Sequence, residues 1–438
     1  MIGIIGGGIS GLALAWYLQQ AGKPYILFEA SGKAGGKIRT KYESGLILEE
    51  GPNSILCDEN CLQLLEATGC MSESLDAKPV SDARFIWKQG KYRQLPSKPQ
   101  QILTNPFFSW SAKWKILSEL LKKPLADHDA KETVADFFIR HFGQEVVDYA
   151  VQPFVSGIYA GNAGKLNLDL TFPRLRELEQ QHGSVLKGLA KSAGKRKRSL
   201  NFKQGMQTLP MAISGKLQHI LLEAKVEKIL QTESGYQLNY SQLGEIKSMQ
   251  VDQVVVCTPA TDAALLLNDV VPMFAFSLSQ ISYASVAVVH TQVNQKANIK
   301  NRPLGFGGLH PSIETMTSAG SIWNDLVFDG RCNSEQALFT SFISNATQPE
   351  LPQWNGDKIR SAIWLDLKRG FQIPQTEPDY QNLYYWHEGI PQYESKLRSI
   401  WDSANELQTE KLHFLANWKD GVSLSDCINN AKKLAASL

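Results

Sequence analysis

The sequence lacks the features that define several large classes of protein. Its 438 residues contain no run of about 18 consecutive apolar residues, so a membrane-spanning helix is not expected. The 45 basic and 43 acidic residues leave a formal net charge of +2, which gives no electrostatic case for nucleic acid as a partner. The apolar content of 43% is ordinary for a globular protein with a full core, and the length predicts more than one domain.

Cysteine pairs and hydrolytic motifs are also missing. The six cysteines form no C-x-x-C pair and have no histidine cluster nearby, which argues against a metal site and a disulfide framework. No nucleophile elbow, catalytic triad or metal-ligand spacing is present. The sequence therefore predicts buried thiols in a reducing compartment, no bound metal and no catalytic side chain, which is consistent with chemistry that a cofactor carries.

The clearest motif lies at the amino end, where an apolar strand, a glycine-rich turn and a helix follow one another. The strand covers residues 2–5 and the helix covers residues 11–18. The turn has the spacing G-x-G-x-x-G, formed by Gly6, Gly8 and Gly11. The first glycine permits the turn, the second lets the backbone approach a pyrophosphate, and the third lets helix and strand pack closely. The N–H groups at the start of the helix attract phosphate.

A second strand completes the nucleotide-binding pattern. The helix ends at Gly22, and the apolar strand at residues 25–28 is followed by Glu29. An acid roughly 20 residues after the glycines can hold both hydroxyls of an adenosine ribose, and it repels a 2′-phosphate. The segment predicts a dinucleotide-binding domain in which NADP is disfavoured. The alternative, a glycine turn without a ligand, does not explain why strand, turn, helix, strand and acid occur in this order.

Further motifs follow the dinucleotide-binding segment. A Gly-Gly pair at residues 35–36 precedes an arginine, and Glu50-Gly51-Pro52-Asn53-Ser54 follows. Two later segments are Pro153–Gly161 and Gly305–Leu309. The first of these motifs resembles the flavin amine oxidase superfamily, and the other three resemble its protoporphyrinogen oxidase family. The resemblance covers nearly the whole chain and implies FAD as the cofactor. The residues expected at FAD are Gly6, Gly8, Ile9, Ser10, Gly11, Glu29, Ala30, Lys33, Gly35, Gly36, Arg39, Gly51, Pro52, Asn53, Val226, Thr258, Trp386, Gly421 and Val422.

The same resemblance implies an α/β fold with three parts. A Rossmann-like FAD domain of the amine-oxidase (GR2) type is expected from residues 1–80, 201–265 and 396–438. Residues 81–200 are expected to form a helical domain that faces a membrane, and residues 266–395 a substrate domain with a mixed sheet. In the superfamily the final helix, which residues 417–427 are expected to open, points its amino end at the flavin ring.

The implied activity is the oxidation of a porphyrinogen to a porphyrin in heme biosynthesis, by hydride transfer to the flavin with oxygen as acceptor. Phe306 and Leu309 match family positions that sandwich the macrocycle, and Asn53 and Gly157 are expected beside it. The propionates need a cation. The sequence offers three candidates without choosing among them, namely Lys78, Arg84 and Arg93. Protoporphyrinogen and coproporphyrinogen therefore both remain open as substrates.

Two rival functions remain open from sequence alone. An enzyme of the same fold could act on an amine or a polyene, although an amine oxidase should present an aromatic cage beside the flavin. A binding protein could keep the fold without redox chemistry, as the Rab GDP-dissociation inhibitors do. The absence of flavin colour in purified protein would favour the binding protein.

Residues 107–123 combine aromatic and basic side chains. These are Phe107, Phe108, Trp110, Lys113, Trp114, Lys115, Lys122 and Lys123. Such a segment is typical of a helix at a membrane interface, but a core helix with a solvated lysine face explains it equally well. The resemblance favours the membrane.

The expected partners are a tetrapyrrole and a peripheral membrane contact, with hand-off to ferrochelatase and a homodimer as further expectations. Because the first strand begins at Ile2, we expect either that the protein has no signal or transit peptide or that it was processed before this numbering. The expected location is therefore the cytoplasm, with the inner face of the cell membrane as the site of contact.

Overall fold

The chain folds into β-sheets covered by helices. The computed structural model describes residues 1–96, 101, 104–124, 128–191, 197–300 and 302–438. The strands are β1 (Ile2–Ile5), β2 (Tyr25–Phe28), β3 (Thr40–Glu43), β4 (Leu46–Glu49), β5 (Ile55–Cys57), β6 (Ser74–Asp76), β7 (Arg84–Lys88), β8 (Lys91–Gln94), β9 (Arg198–Phe202), β10 (Ile220–Leu221), β11 (Ala224–Thr232), β12 (Gly235–Gln242), β13 (Glu245–Val251), β14 (Gln253–Val256), β15 (Tyr283–Val293), β16 (Gly307–Leu309), β17 (Gly320–Trp323), β18 (Ala337–Ser344), β19 (Tyr380–Pro391) and β20 (Leu412–Phe414). The α-helices are α1 (Ile9–Gln20), α2 (Glu59–Thr68), α3 (Trp110–Glu119), α4 (Val134–Phe142), α5 (Gln144–Val146), α6 (Gln152–Tyr159), α7 (Leu168–Thr171), α8 (Pro173–His182), α9 (Val185–Lys191), α10 (Thr208–Ser214), α11 (Ala260–Leu267), α12 (Pro272–Ser279), α13 (Asn324–Val327), α14 (Gly356–Phe371), α15 (Leu397–Glu406) and α16 (Leu424–Ser437).

A parallel sheet forms the nucleotide-binding half, with its strands in the order β10-β2-β1-β14-β20. Residues 2–28, 220–256 and 412–414 supply these strands, so three distant parts of the chain meet in one sheet. The strands are almost entirely buried, which is typical of a parallel sheet covered on both faces. The carboxyl ends of β1, β2 and β14 lie at one edge, where ligands bind in sheets of this kind.

Two layers cover this sheet. Helices α1 and α16 pack against each other on one face. The antiparallel strands β11, β12 and β13 cover the other face, where Tyr240 packs on Phe28 with ring centroids 5.0 Å apart. Gly3 in β1 allows this approach, because a Cβ there would lie 2.8 Å from the side chain of Leu238.

A second sheet has the order β19-β15-β18-β17-β16-β7-β8. Its neighbours are antiparallel except β16 and β7, which are parallel, so the sheet is mixed as predicted. Helix α14 packs on one face, in a core that includes Trp323, Phe339 and Phe371. The hairpin β7-β8 lies in this sheet, so the segment 81–200 contributes two strands to it before its helices begin.

The helices α3 to α9 form a separate layer beside the second sheet. A π-helical turn at Val147–Val151 precedes α6, and α6 packs against β16. Among the described residues, no helix combines the length and apolar character needed to cross a membrane.

The final helix begins later than the sequence predicts. Residues 417–427 were expected to open it, but α16 starts at Leu424 with Ser423 as its N-cap. Asp420 and Gly421 have φ values of 59° and 128°, which a right-handed helix does not accommodate. Residues 416–422 therefore form a loop between β20 and α16, and this loop faces the nucleotide-binding edge.

Candidate active site

The glycine turn after β1 is shaped by close backbone contacts and leaves one open face. Gly6 has a φ of 107°, and a Cβ on Gly11 would lie 2.0 Å from the carbonyl oxygen of Gly6. A side chain is therefore excluded at Gly11. At Gly8, by contrast, no atom lies within 4 Å of the position a Cβ would take. The turn thus has free space at the glycine that is expected to face a pyrophosphate.

The start of α1 suits an anion. Gly8 is its N-cap, no side chain caps the helix, and its first turn, which includes Ile9 and Ser10, contains no acidic residue. The positive end of the helix dipole is therefore not neutralised by the protein, and its N–H groups are available to phosphate oxygens.

Glu29 lies beside this turn, as the sequence predicts. One carboxylate oxygen accepts the N–H of Gly7 at 2.8 Å, and the other accepts the N–H and hydroxyl of Ser31 at 2.8 and 2.7 Å. The carbonyl of Glu29 accepts the N–H of Ala224 at 2.9 Å, which brings the start of β11, and with it Val226, next to Ala30. This arrangement can hold the adenosine end of a dinucleotide.

A second glycine loop closes over the first. The N–H of Gly35 donates to the carbonyl of Gly7 at 2.9 Å, and a Cβ on Gly36 would lie 3.2 Å from the Cα of Gly8. Both Gly35 and Gly36 have positive φ, at 134° and 57°. The side-chain amide of Gln207 donates to the carbonyl of Ala34 at 3.0 Å and so holds the residue before Gly35 in place. The neighbouring Lys33 is exposed.

The segment after β4 connects the glycine loops to the second sheet. A Cβ on Gly51 would lie 2.0 Å from the carbonyl oxygen of Lys37, so only glycine fits there before Pro52. The indole of Trp386 donates to the carbonyl of Glu50 at 2.6 Å. The guanidinium of Arg39 lies over the ring of Tyr384, 5.7 Å from its centroid, and donates to its hydroxyl. The structure therefore places the side chain of Arg39 against β19.

The opposite wall of the crevice comes from Thr258 and the loop before α16. The buried hydroxyl of Thr258 has no hydrogen-bond partner in the described parts of the chain, and its methyl group would lie 3.2 Å from a Cβ on Gly6. In the loop, the N–H of Gly421 donates to the hydroxyl of Tyr393 at 3.0 Å. The next N–H, that of Val422, has no partner among the described residues.

The amino end of α16 is already capped. The hydroxyl of Ser423 accepts the N–H of Asp426 at 3.1 Å, and the carboxylate of Asp426 accepts the N–H of Ser423 at 3.2 Å. This carboxylate offsets the positive end of the helix dipole that the sequence expectation relied on. In the loop before this helix, the N–H of Val422 has no partner among the described residues and is available to a ligand.

These residues fit an adenine dinucleotide with a redox ring. The open face at Gly8 and the uncapped start of α1 lie in one turn, next to the buried hydroxyl of Thr258 and the carboxylate of Glu29. The loop at residues 416–422 is joined to this edge by the hydrogen bond from the indole of Trp418 to the carbonyl of Thr258. The structure thus brings together the predicted residues of the glycine loops, Glu29 and Thr258. Lys33 is exposed, and Arg39 lies over Tyr384, whose ring packs on the predicted Trp386.

The predicted substrate residues also come together. A Cβ on Gly157 in α6 would lie 3.2 Å from the side chain of Leu309. The guanidinium of Arg84 lies 4.8 Å from the ring centroid of Phe306. The backbone holds Phe306 in place, because its N–H donates to the carbonyl of Ala83 at 2.9 Å. An aromatic ring, an aliphatic side chain and a cation thus border the same strand.

The glycines around β16 let the strand approach aromatic neighbours. A Cβ on Gly305 would lie 2.6 Å from the ring of Phe85, and one on Gly308 would lie 2.2 Å from the ring of Tyr92. Gly305 and Gly308 are therefore needed for the close approach of Phe85 and Tyr92.

The three candidate cations differ in their partners. Lys78 forms an ion pair with Asp329 at 2.6 Å. Arg93 donates to the side chain of Gln89 at 2.8 Å. Arg84 is exposed and has no ion pair or side-chain hydrogen bond with any described residue, and its guanidinium is charged at neutral pH. Arg84 is therefore the one of the three that is free for an anionic ligand.

Comparison with known proteins agrees with this geometry. Residues 9–437 match the family model described as flavin containing amine oxidoreductase. The chain belongs to this family.

Protoporphyrinogen oxidase 2 of Arabidopsis thaliana, chloroplastic/mitochondrial, is 30% identical over 475 residues, which cover 99% of this chain and 92% of the relative. Coproporphyrinogen III oxidase of Bacillus subtilis (strain 168) is 26% identical over 461 residues, which cover 98% of this chain and 96% of the relative. A solved structure from Exiguobacterium sp. 255-15, provisionally named protoporphyrinogen oxidase, has a TM-score of 0.80 at 22% identity and covers 100% of this chain and 98% of its own.

Membership in the flavin-containing amine oxidoreductase family confirms the fold class, the oxidoreductase class and the FAD cofactor that the motifs predicted. The solved structure supports the fold alone, because its identity to this chain is low.

Two aromatic side chains of β19 lie near the segment after β4. The rings of Tyr384 and Trp386 have centroids 4.7 Å apart. The hydroxyl of Tyr384 accepts from Arg39, and the indole of Trp386 donates to the carbonyl of Glu50. This pair is therefore engaged within the protein and leaves no gap for a ligand between its rings.

Sequence reasoning missed three residues that shape the site. Asn324, Gln207 and Tyr393 each bind a segment that contacts the crevice or the substrate strand. Their partners could not be predicted, because each hydrogen bond joins separate parts of the chain.

Proposed function

We propose that this flavoprotein is an FAD-dependent porphyrinogen oxidase that converts a porphyrinogen to the porphyrin, with oxygen as the electron acceptor. Two of its relatives are named for protoporphyrinogen and coproporphyrinogen III, and both align over nearly its full length. When bound, FAD supplies the hydride acceptor. The chain itself binds and orients the substrate.

The observation that carries the proposal is the position of Arg84 over Phe306. A tetrapyrrole is flat, largely apolar and edged by propionates, so its site needs apolar faces and a cation at the rim. The ring of Phe306 and the side chain of Leu309 supply the apolar surface. The guanidinium of Arg84 supplies the cation, 4.8 Å from the centroid of the same aromatic ring. An amine substrate carries positive charge and would be repelled by Arg84.

Helix α6 supplies apolar surface beside β16. Gly157 stands against Leu309, and a Cβ in its place would lie 3.2 Å from that side chain, so the helix and the strand are in direct contact there. Phe154 and Ile158 lie on the same side of α6, where they are 49% and 40% exposed, and they extend the apolar surface. The substrate would therefore lie beside the contact between α6 and β16.

Arg84 is the one free cation among the three candidates, and a single free cation favours protoporphyrinogen over coproporphyrinogen as the substrate. Coproporphyrinogen carries extra propionates where protoporphyrinogen carries vinyl groups, and each extra carboxylate needs a partner when buried. Lys78 is already paired with Asp329. We therefore propose protoporphyrinogen as the preferred substrate.

The test is an anaerobic titration of the FAD-loaded protein with each porphyrinogen, followed by the absorbance of the oxidised flavin. We expect protoporphyrinogen to bleach the flavin faster than coproporphyrinogen, and an amine or a polyene to leave it unchanged. Bleaching by an amine or a polyene, with both porphyrinogens inert, would refute the proposal. A protein that binds no flavin would support the binding-protein alternative.

Arg84→Leu tests the role of the cation. We expect KM for protoporphyrinogen to rise at least about tenfold, because a charge-assisted hydrogen bond is lost, while the bound flavin keeps its spectrum. Arg84→Lys should recover part of the affinity. The matched control is Arg93→Leu, which removes an arginine of the same region that already has a partner in Gln89. An equal effect of Arg84→Leu and Arg93→Leu would exclude a specific role for Arg84.

We also propose that α3 contacts a membrane surface. The stretch 107–123 divides into two parts: Phe107 and Phe108 are buried, whereas Trp110 and Trp114 are 72% and 69% exposed. A core helix would bury its tryptophans, so the exposure of both argues for the interfacial alternative. Leu121, which is 82% exposed, extends the apolar stripe.

The remaining expectations stay predictions. These are the cytoplasmic location, the hand-off to ferrochelatase, the homodimer and the domain boundaries given by the sequence.

A further inference from the structure

Tyr393 connects three parts of the chain at the loop that faces the flavin crevice. Its side chain has no exposed surface, and its ring packs on Tyr159 and Trp401 with centroids 5.7 and 5.4 Å away. Its hydroxyl donates to the carbonyl of Asn417 at 2.7 Å and accepts the N–H of Gly421 at 3.0 Å. One hydroxyl thus bridges the beginning and the end of the loop before α16.

This bridge sets which N–H groups the loop can offer. Gly421 has a φ of 128°, and a Cβ there would lie 2.5 Å from the Cβ of Asp426, so the loop turns sharply just before α16. Because the N–H of Gly421 is occupied by Tyr393, it is turned away from any ligand. The following N–H, that of Val422, has no partner in the described part of the chain.

Other contacts hold the middle and the end of the loop. The indole of Trp401 donates to the carbonyl of Trp418 at 2.8 Å, and the indole of Trp418 donates to the carbonyl of Thr258 at 3.3 Å. The side-chain amide of Asn430 donates to the carbonyl of Asp420 at 2.9 Å. The peptide between Asp420 and Gly421 is therefore held on its carbonyl side by Asn430 and on its N–H side by Tyr393, and Val422 follows it directly.

We propose that Tyr393 is a positioning residue for the flavin: its hydroxyl holds the loop at residues 417–421 so that the N–H of Val422 points at the flavin ring. A hydrogen bond that strengthens as negative charge develops on the reduced ring favours reduction. The capped end of α16 cannot replace it, since Asp426 places a carboxylate there. Burial raises the pKa of the Tyr393 phenol well above its ordinary value, so the hydroxyl remains protonated.

This inference rests on the flavin cofactor and does not depend on which substrate is oxidised. A protein that binds FAD but leaves porphyrinogens unchanged would refute the proposed function and leave the role of Tyr393 intact. The readouts below are accordingly independent of turnover.

The test compares Tyr393→Phe with Tyr236→Phe. Tyr236 is also buried, at 1% exposure, and its hydroxyl donates to the carbonyl of Glu410 at 2.8 Å, so the control loses a similar bond away from the loop. Amide hydrogen exchange of the flavin-free protein should be about fivefold faster at Gly421 in Tyr393→Phe, the factor expected for one lost hydrogen bond. Tyr236→Phe should leave Gly421 unchanged.

The second readout is the reduction potential of the bound flavin. In Tyr393→Phe the ratio of reduced to oxidised flavin at a fixed ambient potential should fall about tenfold, which is about 30 mV for a two-electron couple. Tyr236→Phe should keep the wild-type ratio. An unchanged ratio in Tyr393→Phe, or an equal fall in both variants, would overturn the proposal.

A measurement on the unmodified chain keeps the proposal falsifiable if Tyr393→Phe does not fold. The amide of Gly421 should be protected from exchange both without and with FAD, because Tyr393 is its partner in each state. The amide of Val422 should exchange freely without FAD and become protected when FAD is added. Failure of FAD to protect Val422 would also overturn the proposal.

Discussion

The side-chain amide of Asn324 donates a hydrogen bond to the side-chain oxygen of Asn53 at 3.0 Å, across 271 residues of sequence. Asn53 belongs to the segment that follows Gly51 in the flavin crevice. Asn324 follows Trp323, whose N–H donates to the carbonyl of Phe306 at 3.0 Å. Two hydrogen bonds therefore connect the cofactor segment to the proposed substrate strand, and both polar side chains are buried. The bond between Asn324 and Asn53 therefore fixes the position of the proposed substrate strand relative to the segment that follows Gly51.

The first prediction is that Asn324→Asp weakens substrate binding. The variant replaces the amide donor by a carboxylate that faces the oxygen of Asn53, so a buried bond is lost and a repulsion is gained. Such a change costs about 1–3 kcal/mol, which corresponds to a KM for protoporphyrinogen about five- to 150-fold higher. Steady-state kinetics measures it, with flavin content determined in parallel.

The matched control for this prediction is Asn60→Asp. Asn60 donates to the side-chain oxygen of Asn429 at 2.9 Å, in a second asparagine pair that joins α2 to α16 away from the substrate strand. The control should lower thermal stability slightly and leave KM unchanged. A similar rise of KM in both variants would mean that a general loss of stability, and not the bond to Asn53, weakens substrate binding.

The second prediction separates two glycines of the first turn. Gly8→Ala should leave the stability of the flavin-free protein unchanged, because no atom lies within 4 Å of the new Cβ and the φ of −71° suits alanine. It should nevertheless abolish FAD retention, since the methyl group would occupy the space for the pyrophosphate. Gly11→Ala should destabilise the flavin-free protein as well, because its Cβ would lie 2.0 Å from the carbonyl oxygen of Gly6.

Thermal unfolding without FAD and equilibrium dialysis with FAD measure the two effects. Normal FAD binding by Gly8→Ala would show that the pyrophosphate lies elsewhere. Wild-type stability of flavin-free Gly11→Ala would show that the turn relaxes more easily than its contacts indicate.

The nucleotide-binding half was predictable because its signals are local. The spacing of Gly6, Gly8 and Gly11 between strand and helix determines one geometry, and Glu29 follows from the length of the next strand. The onset of α16 was not predicted, although the capping-box spacing of Ser423 and Asp426 was visible in the sequence.

Relationships between distant segments could not be predicted. The bond from Asn324 to Asn53 and the bridge made by Tyr393 depend on how the two sheets dock, and no periodicity carries that information. Arg84 could not be chosen over Lys78, because the choice depends on Asp329, which pairs with the lysine. The exposure of Trp110 was also undetermined, since α3 carries apolar residues on both of its faces.

The third prediction concerns a buried ionic cluster that ties α3 to its neighbours. The ring of His141 has no exposed surface, and its two nitrogens lie 3.1 Å from Glu119 and 2.9 Å from Glu179. Burial alone would raise the pKa of both carboxyls, but hydrogen bonds from His141 to each of them, from Ser184 to Glu119 and from Arg140 to Glu179 hold both pKa values below the usual range.

The sign of the pH dependence follows from these lowered pKa values. A carboxyl whose pKa is lower in the folded state contributes stability at pH values above its unfolded pKa of about 4.3, and this contribution is lost as the pH falls through the folded value. The melting temperature should therefore fall steeply below about pH 4. Glu119→Gln should lower the free energy of unfolding at pH 7 by about 1–3 kcal/mol and reduce the fall of the melting temperature below pH 4. Glu66→Gln, on the exposed side of α2, should change neither the stability at pH 7 nor this fall. If Glu119→Gln leaves the fall below pH 4 unchanged, the buried cluster is not its cause.

The fourth prediction concerns the proposed membrane contact of α3. Trp110→Ser together with Trp114→Ser should weaken binding to vesicles of phosphatidylcholine and phosphatidylglycerol at least about tenfold, because two interfacial rings are removed. Co-sedimentation measures binding, and flavin content checks that the fold is intact. Since Lys115 and Lys123 are exposed and lie in the same segment, binding should also weaken with salt and with a lower share of phosphatidylglycerol.

The control for the membrane prediction is a second exposed apolar patch. Met273 and Phe276 on α12 are 81% and 65% exposed, and no lysine lies on α12 between them. If exposure of apolar surface alone caused vesicle binding, Met273→Ser with Phe276→Ser would reduce it as much as the tryptophan variants do. If the combination of rings and lysines on α3 is required, only the tryptophan variants lose binding. Equal losses, or vesicle binding that persists without Trp110 and Trp114, would therefore exclude α3 as the membrane contact.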